Sequence, residues 1–162
     1  MKSINTVSQA WLRRNFSYDE VTGSLIDICF GSLPTNRKSR YVLVRVASGC
    51  WFKLHQLVWL YFNGTIPSGF YINAKDGNPH NTHISNLRLA DRSQISSASK
   101  MYANNKTGYR GVFYTDGKFR AKITKDGVAY FLGEYDSAEQ AHIAFQAEAS
   151  KLHGEFAGPD TR

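Results

Sequence analysis

Residues 116–127 read DGKFRAKITKDG, and this stretch decides the fold of the C-terminal third of the chain. The Asp-Gly pairs at its two ends are typical of two-residue hairpin turns, because both central positions of such turns need a positive φ. Between the pairs, polar and apolar side chains alternate, which is the period of a strand with one buried face. The stretch therefore predicts the middle strand of an antiparallel sheet.

The flanking segments extend this prediction to three strands, over residues 109–114, 118–124 and 128–132. Period-two alternation sends Phe119, Ala121 and Ile123 to one face of the middle strand. The polar residues then share the other face, which is expected to be wet and positive: Lys118, Arg120, Lys122 and Thr124. Such a face suits the phosphates of a nucleic acid, although a small stabilising sheet with scattered lysines would show the same pattern.

A helix is expected to follow the sheet, from Ser137 to Gly154. Ser137 with Gln140 forms a capping pattern, and small and apolar residues then recur at spacings of three and four. Residues 100–125 carry seven basic side chains and one acid, whereas residues 126–162 carry two basic side chains and seven acids. The helix is therefore expected to cover the apolar face of the sheet and to hold its acids away from the cations.

Composition restricts the protein to one or two small domains. The chain has 162 residues, a formal charge of +7 and 14% aromatic side chains, so it is expected to fold in water. No apolar run is long enough for a membrane span, which predicts a cytoplasmic protein without a membrane partner. The only cysteines, Cys29 and Cys50, are expected to be buried thiols. The positive charge fits a nucleic acid, an acidic protein or an anionic surface.

The first hundred residues predict a second, more irregular module. Helices are expected at 6–16, 55–62 and 91–100, and strands at 41–46, 50–54, 70–72 and 87–89, with a polar loop at 75–85. The cations here are spread along the segment, and Trp11, Trp51 and Trp59 are expected in the core. His142 and His153, on the last helix, are expected at the surface. The whole chain is thus predicted to be α+β, with domains at 1–100 and 104–158 and a linker within 93–105.

The C-terminal module resembles the Apetala or ethylene-response type of DNA-binding domain. The resemblance covers residues 104–158 and rests on four blocks: YRGV at 109–112, GKFRAKI at 117–123, FLG at 131–133 and SAEQA at 137–141. It implies that Arg110, Lys122 and Thr124 face double-stranded DNA, with Arg120 on the same side. Phe113 and Thr115 stand where plant members usually carry arginine, so the plant target sequence is not implied.

The N-terminal module resembles the HNH endonucleases of phage and intron origin. The segment LHQLVW at 54–59 is similar to their entry helix, and INAKDGNP at 72–79 with NTHISNLR at 81–88 is similar to their active-site hairpin. These nucleases hold one divalent cation, usually magnesium, against the scissile phosphate, and a histidine takes a proton from the attacking water. For a phage-encoded protein the resemblance implies the host cytoplasm.

The positions that perform this chemistry are altered in the chain. Asn73 stands at the first metal-ligand position, where an amide oxygen still offers a neutral ligand. Ala74 stands at the position of the general base, and its methyl group accepts no proton. Asn86 matches the residue that braces the loop, while Ile95 stands at the last ligand position and binds no metal. The resemblance therefore predicts magnesium binding that is weak or absent.

Two functions remain open from the sequence. One is a double-stranded DNA-binding protein, derived from a homing endonuclease, that no longer cleaves. The alternative is a magnesium-dependent, site-specific endonuclease of the homing type, including an inactivated mutant of an active enzyme. His55, His80 and His83 are candidates for a displaced base or ligand, although packing and loop support are the simpler roles. A protein partner at the apolar surface left by Ala74 and Ile95 is a third, weaker interpretation.

Overall fold

The computed structural model of the chain describes residues 4–33, 35–36, 38–46, 49–99 and 105–158. The chain forms two compact units, Met1–Asp91 and Arg92–Arg162. Helices and small antiparallel sheets make up both units, so the predicted α+β class is confirmed. The division between the units falls before the segment predicted as a linker, part of which, 100–104, lies outside the described residues.

The described residues of the first unit form two α-helices and eight short strands. They are α1 (Gln9–Asn15), β1 (Phe16–Asp19), β2 (Ser24–Asp27), β3 (Gly31–Ser32), β4 (Thr35–Asn36), β5 (Leu43–Arg45), β6 (Trp51–Lys53), α2 (Leu54–Asn63), β7 (Tyr71–Ala74) and β8 (Leu87–Ala90). The strands form three sheets, with the orders β1-β2-β3, β4-β5-β6 and β7-β8. A 3₁₀ turn, Ile84–Asn86, leads into β8.

Helix α2 is the centre of the first unit. Leu54, Leu57, Val58 and Leu60 are buried along it, together with side chains from α1, β2 and β5. The helix ends at Gly64, which adopts a left-handed φ of 77° and donates its N–H to the Leu60 carbonyl, as the Asn-Gly pair at 63–64 predicts. The predicted buried helix is therefore confirmed.

The first helix is shorter than the apolar spacing predicts. Ser8 caps α1 by accepting the Trp11 N–H, and the helix ends at Asn15 because Phe16 turns to an extended conformation and starts β1. Burial of Phe16 in the core, with only 2% of its surface exposed, outweighs its fit to the helical spacing. The predicted strand at 70–72 instead runs from Tyr71 to Ala74.

The second unit is a three-stranded antiparallel sheet with one long helix. Its elements are α3 (Arg92–Ala98), β9 (Val112–Thr115), β10 (Lys118–Lys125), β11 (Val128–Tyr135) and α4 (Ala138–His153), with the strand order β11-β10-β9. The Asp-Gly pairs at 116–117 and 126–127 all have φ between 52° and 81°, the conformation of type I′ turns. Both predicted hairpins are confirmed.

Helix α4 covers the apolar face of this sheet. Ser137 caps it by accepting the Gln140 N–H, and Ala141, Phe145 and Ala149 are buried against Ala121 and Ile123. Small side chains on both surfaces allow a close approach of the helix to the sheet. The predicted sheet packed on one helix is confirmed.

Several side chains lie elsewhere than the sequence predicts. Trp11 and Trp51 are 36% and 38% exposed rather than buried, because each occupies the outer side of a short element. Cys29 is exposed. His142 is buried rather than at the surface, since its ring lies between those of Tyr109 and Phe145.

Candidate functional site

The hairpin of β7 and β8 carries the first two predicted active-site positions. In its register Asn73 lies opposite Arg88, and Ala74 lies opposite Leu87. Arg88 is buried, with 9% of its surface exposed, and its Nε donates to the Asn73 side-chain oxygen at 3.2 Å. The oxygen that was predicted as a metal ligand therefore accepts a hydrogen bond from a buried cation.

The loop between these strands is closed by Asp76 and Asn86. The Asp76 N–H donates to the Asn86 side-chain oxygen at 3.1 Å, and Asn86 Nδ2 donates back to the Asp76 carboxylate at 3.0 Å. Asn86 Nδ2 also reaches the Asn81 carbonyl at 3.0 Å. Asn86 thus joins the two sides of the loop, the geometry expected of a brace.

The charge of Asp76 is stabilised within this network. Partial burial acts to raise its pKa, but hydrogen bonds from the Asn78 N–H and from the side chains of Asn81 and Asn86 outweigh burial and hold the pKa below its ordinary value. The carboxylate is therefore ionised at neutral pH and serves as the acceptor that shapes the loop.

The same loop is attached to the turn between β1 and β2. Thr82 donates its hydroxyl to the Gly23 carbonyl at 2.8 Å, and the Ile84 N–H donates to the Tyr18 hydroxyl at 3.1 Å. Gly23 has a φ of 65°, and a Cβ there would lie 2.7 Å from the His83 nitrogen. Only glycine fits this close approach, so the turn at 22–23 belongs to the structure of the candidate site.

The three candidate histidines occupy different surroundings. His80 and His83 lie in the loop, where their backbone N–H groups donate to the Asn78 and Asn81 side chains. His55 lies on α2, 7% exposed, with its ring 5.1 Å from that of Tyr41. Burial, with a smaller effect of the Lys53 charge, lowers the pKa of His55 to about 4, so it is neutral at physiological pH.

This pKa predicts an acid-sensitive first unit. Between pH 6.5 and 4, His55 is protonated in the unfolded chain but neutral in the folded chain. The free energy of unfolding therefore falls as the pH is lowered through this range, by about 3 kcal/mol in total. Urea unfolding followed by tryptophan fluorescence measures this unit, because all three tryptophans lie in it. The dependence should largely vanish in His55→Gln, and an NMR-titrated His55 pKa near 6.5 would contradict the explanation.

The remaining predicted metal-ligand position, Ile95, lies on α3 in the second unit and is partly exposed. A divalent ion such as magnesium requires oxygen ligands, and neither the methyl of Ala74 in the first unit nor the sec-butyl group of Ile95 in the second unit supplies one. The Asn73 oxygen is bonded to the Arg88 guanidinium, whose charge opposes a nearby dication. Within the described ranges no cluster of three or more His, Cys, Asp or Glu could hold a metal. These residues do not fit a magnesium centre.

The outward face of the second sheet carries the predicted cations, but two of them form ion pairs with carboxylates. Lys118 forms an ion pair with Asp136, which raises the pKa of Lys118 and lowers that of Asp136. Arg120 pairs with Glu134 at 2.7 Å and with Asp116 at 3.5 Å. Lys122 is exposed and has no carboxylate partner among the residues described, and Thr124 is exposed beside it.

Arg110 lies before β9 rather than on a strand. Its guanidinium donates to the carbonyls of Ser97 and Ser99, at the end of α3 and just beyond it. Nothing in the sequence indicates these contacts. Arg110 therefore connects the segment before β9 to the C-terminal end of α3.

Known proteins share parts of this sequence. A family model described as HNH endonuclease matches residues 52–96, which include α2, the β7–β8 hairpin and position 95. The chain is 34% identical over 109 residues to the uncharacterized HNH endonuclease L560 of Acanthamoeba polyphaga mimivirus, covering 67% of this chain and 57% of that protein. It is 33% identical over 105 residues to Protein 3.8 of Escherichia phage T7, covering 64% of this chain and 86% of that protein.

A solved structure of the HNH homing endonuclease I-HmuI, described as binding and cleaving DNA, also aligns with the chain, with a TM-score of 0.42 and 20% identity over 86% of this chain and 85% of that one. The β7–β8 hairpin and the braced loop lie within the segment that the HNH endonuclease family model matches. The chain belongs to the HNH endonuclease family. No helix in the described part of the chain is long and apolar enough to cross a bilayer.

Proposed function

We propose that the protein binds double-stranded DNA and does not cleave it. The observation that carries this proposal is the chemistry at the base position: Ala74 has a methyl group where the reaction needs a proton acceptor. The hairpin, the braced loop and the entry helix are retained around it. These elements keep their arrangement although the proton acceptor is missing, which supports a role in binding.

The second unit supplies the DNA-binding surface in this proposal. A three-stranded sheet backed by one helix, with Lys122 and Thr124 exposed on its outward face, supports an Apetala-type domain over residues 104–158. Strands of such a sheet can enter the major groove and present side chains to base edges. Family membership supports the alternative, a site-specific homing-type endonuclease that uses magnesium, and cleavage assays separate the two.

Lys122 is expected to contribute more to duplex binding than Lys118 or Arg120, because its charge is not shared with a carboxylate. Removing one phosphate interaction lowers the slope of log affinity against log salt by about 0.9, which corresponds to about 8-fold in affinity at 0.1 M salt. Fluorescence anisotropy with a labelled duplex should show this decrease for Lys122→Ala and smaller decreases for Lys118→Ala and Arg120→Ala. Lys151→Ala, on α4 and paired with Glu148, is the matched control.

Two results would count against the sheet as the binding surface. One is equal affinity and salt slope for Lys122→Ala and the unchanged protein. The other is a larger decrease for Lys151→Ala than for Lys122→Ala, since Lys151 is on the helix that covers the opposite face.

A further inference from the structure

The first unit contains a long stretch of sequence without acids. From Ile28 to Lys75 there are six lysines and arginines and no aspartate or glutamate. The aspartates that precede or follow this stretch have other roles: Asp19 accepts from Thr22, Asp27 accepts from Cys29 and Phe30, and Asp76 closes its loop. Within the stretch itself, no acid offsets the positive charge.

The sheet β4-β5-β6 gathers part of this charge on one face. Val44 and Phe52 lie opposite each other and are both buried, which defines the core side of the sheet. The next pairs along the strands, Arg45 opposite Trp51 and Leu43 opposite Lys53, therefore point away from the core. Arg45 and Lys53 are diagonal neighbours on this outer face, a separation of roughly 7–8 Å between their backbone positions.

Tyr41 extends the same positive surface. The Lys53 ammonium lies 4.4 Å from the centre of the Tyr41 ring, and the Arg40 guanidinium lies 5.7 Å from it. An aromatic ring attracts a cation without neutralising its charge, so both side chains are held in place and remain available to an anion. We call Arg40, Arg45, Trp51 and Lys53, with Tyr41, the β5–β6 face.

The cations of the β5–β6 face differ from two of the three cations on the outward face of the second sheet. Among the described residues, none of Arg40, Arg45 and Lys53 has a carboxylate partner, whereas Lys118 and Arg120 are both ion-paired. An unneutralised cation gains more from an external phosphate than a paired one, because it has no internal partner to give up. Charge complementarity therefore favours the β5–β6 face as an anion-binding surface.

We propose that the β5–β6 face binds the backbone phosphates of duplex DNA, as a contact surface separate from the sheet of the second unit. The inference rests on the proposed DNA-binding function and extends it to the first unit. Duplex DNA presents a dense row of phosphates, about one charge per 1.7 Å of its axis, which suits several cations on one face. The ring of exposed Trp51 provides a flat apolar area for the sugars that lie between these phosphates. Two contact surfaces in one chain raise the affinity when both reach the same duplex, because the second contact then forms at a high effective concentration.

The test compares two triple variants of the full chain with equal net charge. One is Arg40→Gln, Arg45→Gln and Lys53→Gln, and the control is Arg13→Gln, Arg14→Gln and Lys151→Gln, whose sites on α1 and α4 lie outside both proposed surfaces. The first variant should lower the log affinity–log salt slope for a labelled duplex by about 2 to 3, and the affinity on the order of 100-fold at 0.1 M salt. The control should change the slope by less than about 1.

A second readout locates the contact. Duplex binding should change the fluorescence of the unchanged protein, and most of this change should be absent in Trp51→Phe, because Trp51 lies on the proposed face. Circular dichroism before binding confirms that each variant is folded.

The outcomes separate this inference from the proposed function. If the unchanged protein does not bind duplex DNA at all, the proposed function fails. If it binds, but the two triple variants behave alike or Trp51→Phe retains the fluorescence change, the inference is overturned and the proposed function stands. A triple variant that binds polyglutamate or anionic vesicles less tightly, with duplex affinity unchanged, also overturns it.

Discussion

The purified chain is expected to leave supercoiled DNA intact in the presence of magnesium, whereas the Ala74→His, Ile95→Asn double variant is expected to nick it. A histidine at position 74 would restore a proton acceptor at the end of β7, and general-base catalysis is worth on the order of 100- to 10,000-fold. An asparagine at position 95 would restore an oxygen ligand in α3. The measurement is the rate of conversion of supercoiled to open-circular plasmid.

The single variants show which of the two positions limits the reaction. Ala74→His alone should recover little, since position 95 would still lack a ligand. Adding Asn73→Asp to the double variant should raise the rate further, because a carboxylate can offset the Arg88 guanidinium that now bonds to the Asn73 oxygen. Ala74→Gln with Ile95→Asn serves as the control, with a polar side chain but no base.

Two results would contradict these expectations. Nicking by the unchanged protein would show that another group acts as the base and would favour the endonuclease. Full activity of Ala74→His alone would show that position 95 is not needed, which is the behaviour of an enzyme inactivated at one residue.

The sequence predicts the second unit better than the first. Its turns need positive φ at both central residues, and Asp-Gly satisfies this locally, so both hairpins follow from four residues. The first unit is built from strands of two to four residues, whose positions depend on burial by distant side chains. Phe16 illustrates the difference, because its place in the core, not its local spacing, ends α1.

The ion pair of Arg120 shows why the charge of the outward face could not be predicted from the sequence. A regular hairpin starting at the turn 126–127 would place Arg120 opposite Gly133. The structure has a register shift between Ala121 and Lys122, so that Ala121 lies opposite Gly133 and Arg120 lies opposite Glu134. One extra residue in β11 therefore brings the Glu134 carboxylate to the cationic face.

The candidate site, too, could be predicted from the sequence only in part. Asn86 and Ala74 could be placed from the motif, since both lie within one hairpin and its loop. The attachment of the loop to the turn at Gly23 joins residues that are 59 positions apart, and a lone Thr-Gly pair gives no signal of it. The partner of Asn73, Arg88, follows only from the strand register.

Gly111→Ala is expected to destabilise the second unit by at least about 3 kcal/mol. Gly111 has a φ of 69°, and a Cβ there would overlap the ring of Phe145, which is only 7% exposed. Displacing a buried phenylalanine costs about 3–5 kcal/mol, and the left-handed backbone adds about 1–2 kcal/mol for alanine. The chain neighbours of Gly111, Arg110 and Val112, would move with it, so duplex binding through this unit should also weaken.

The substitution Gly117→Ala separates the cost of backbone strain from the cost of the overlap with the Phe145 ring. Gly117 has a φ of 78° with no atom within 4 Å of an added Cβ, so Gly117→Ala carries the backbone strain alone and should cost about 1–2 kcal/mol. Amide hydrogen exchange in β10 measures both variants, because tryptophan fluorescence reports only the first unit. Gly111→Ala with Phe145→Ala should destabilise the unit less than the sum of the single changes, since the clash is then removed. Equal costs at positions 111 and 117, or strict additivity with Phe145→Ala, would mean that the ring of Phe145 does not limit how closely this glycine approaches α4.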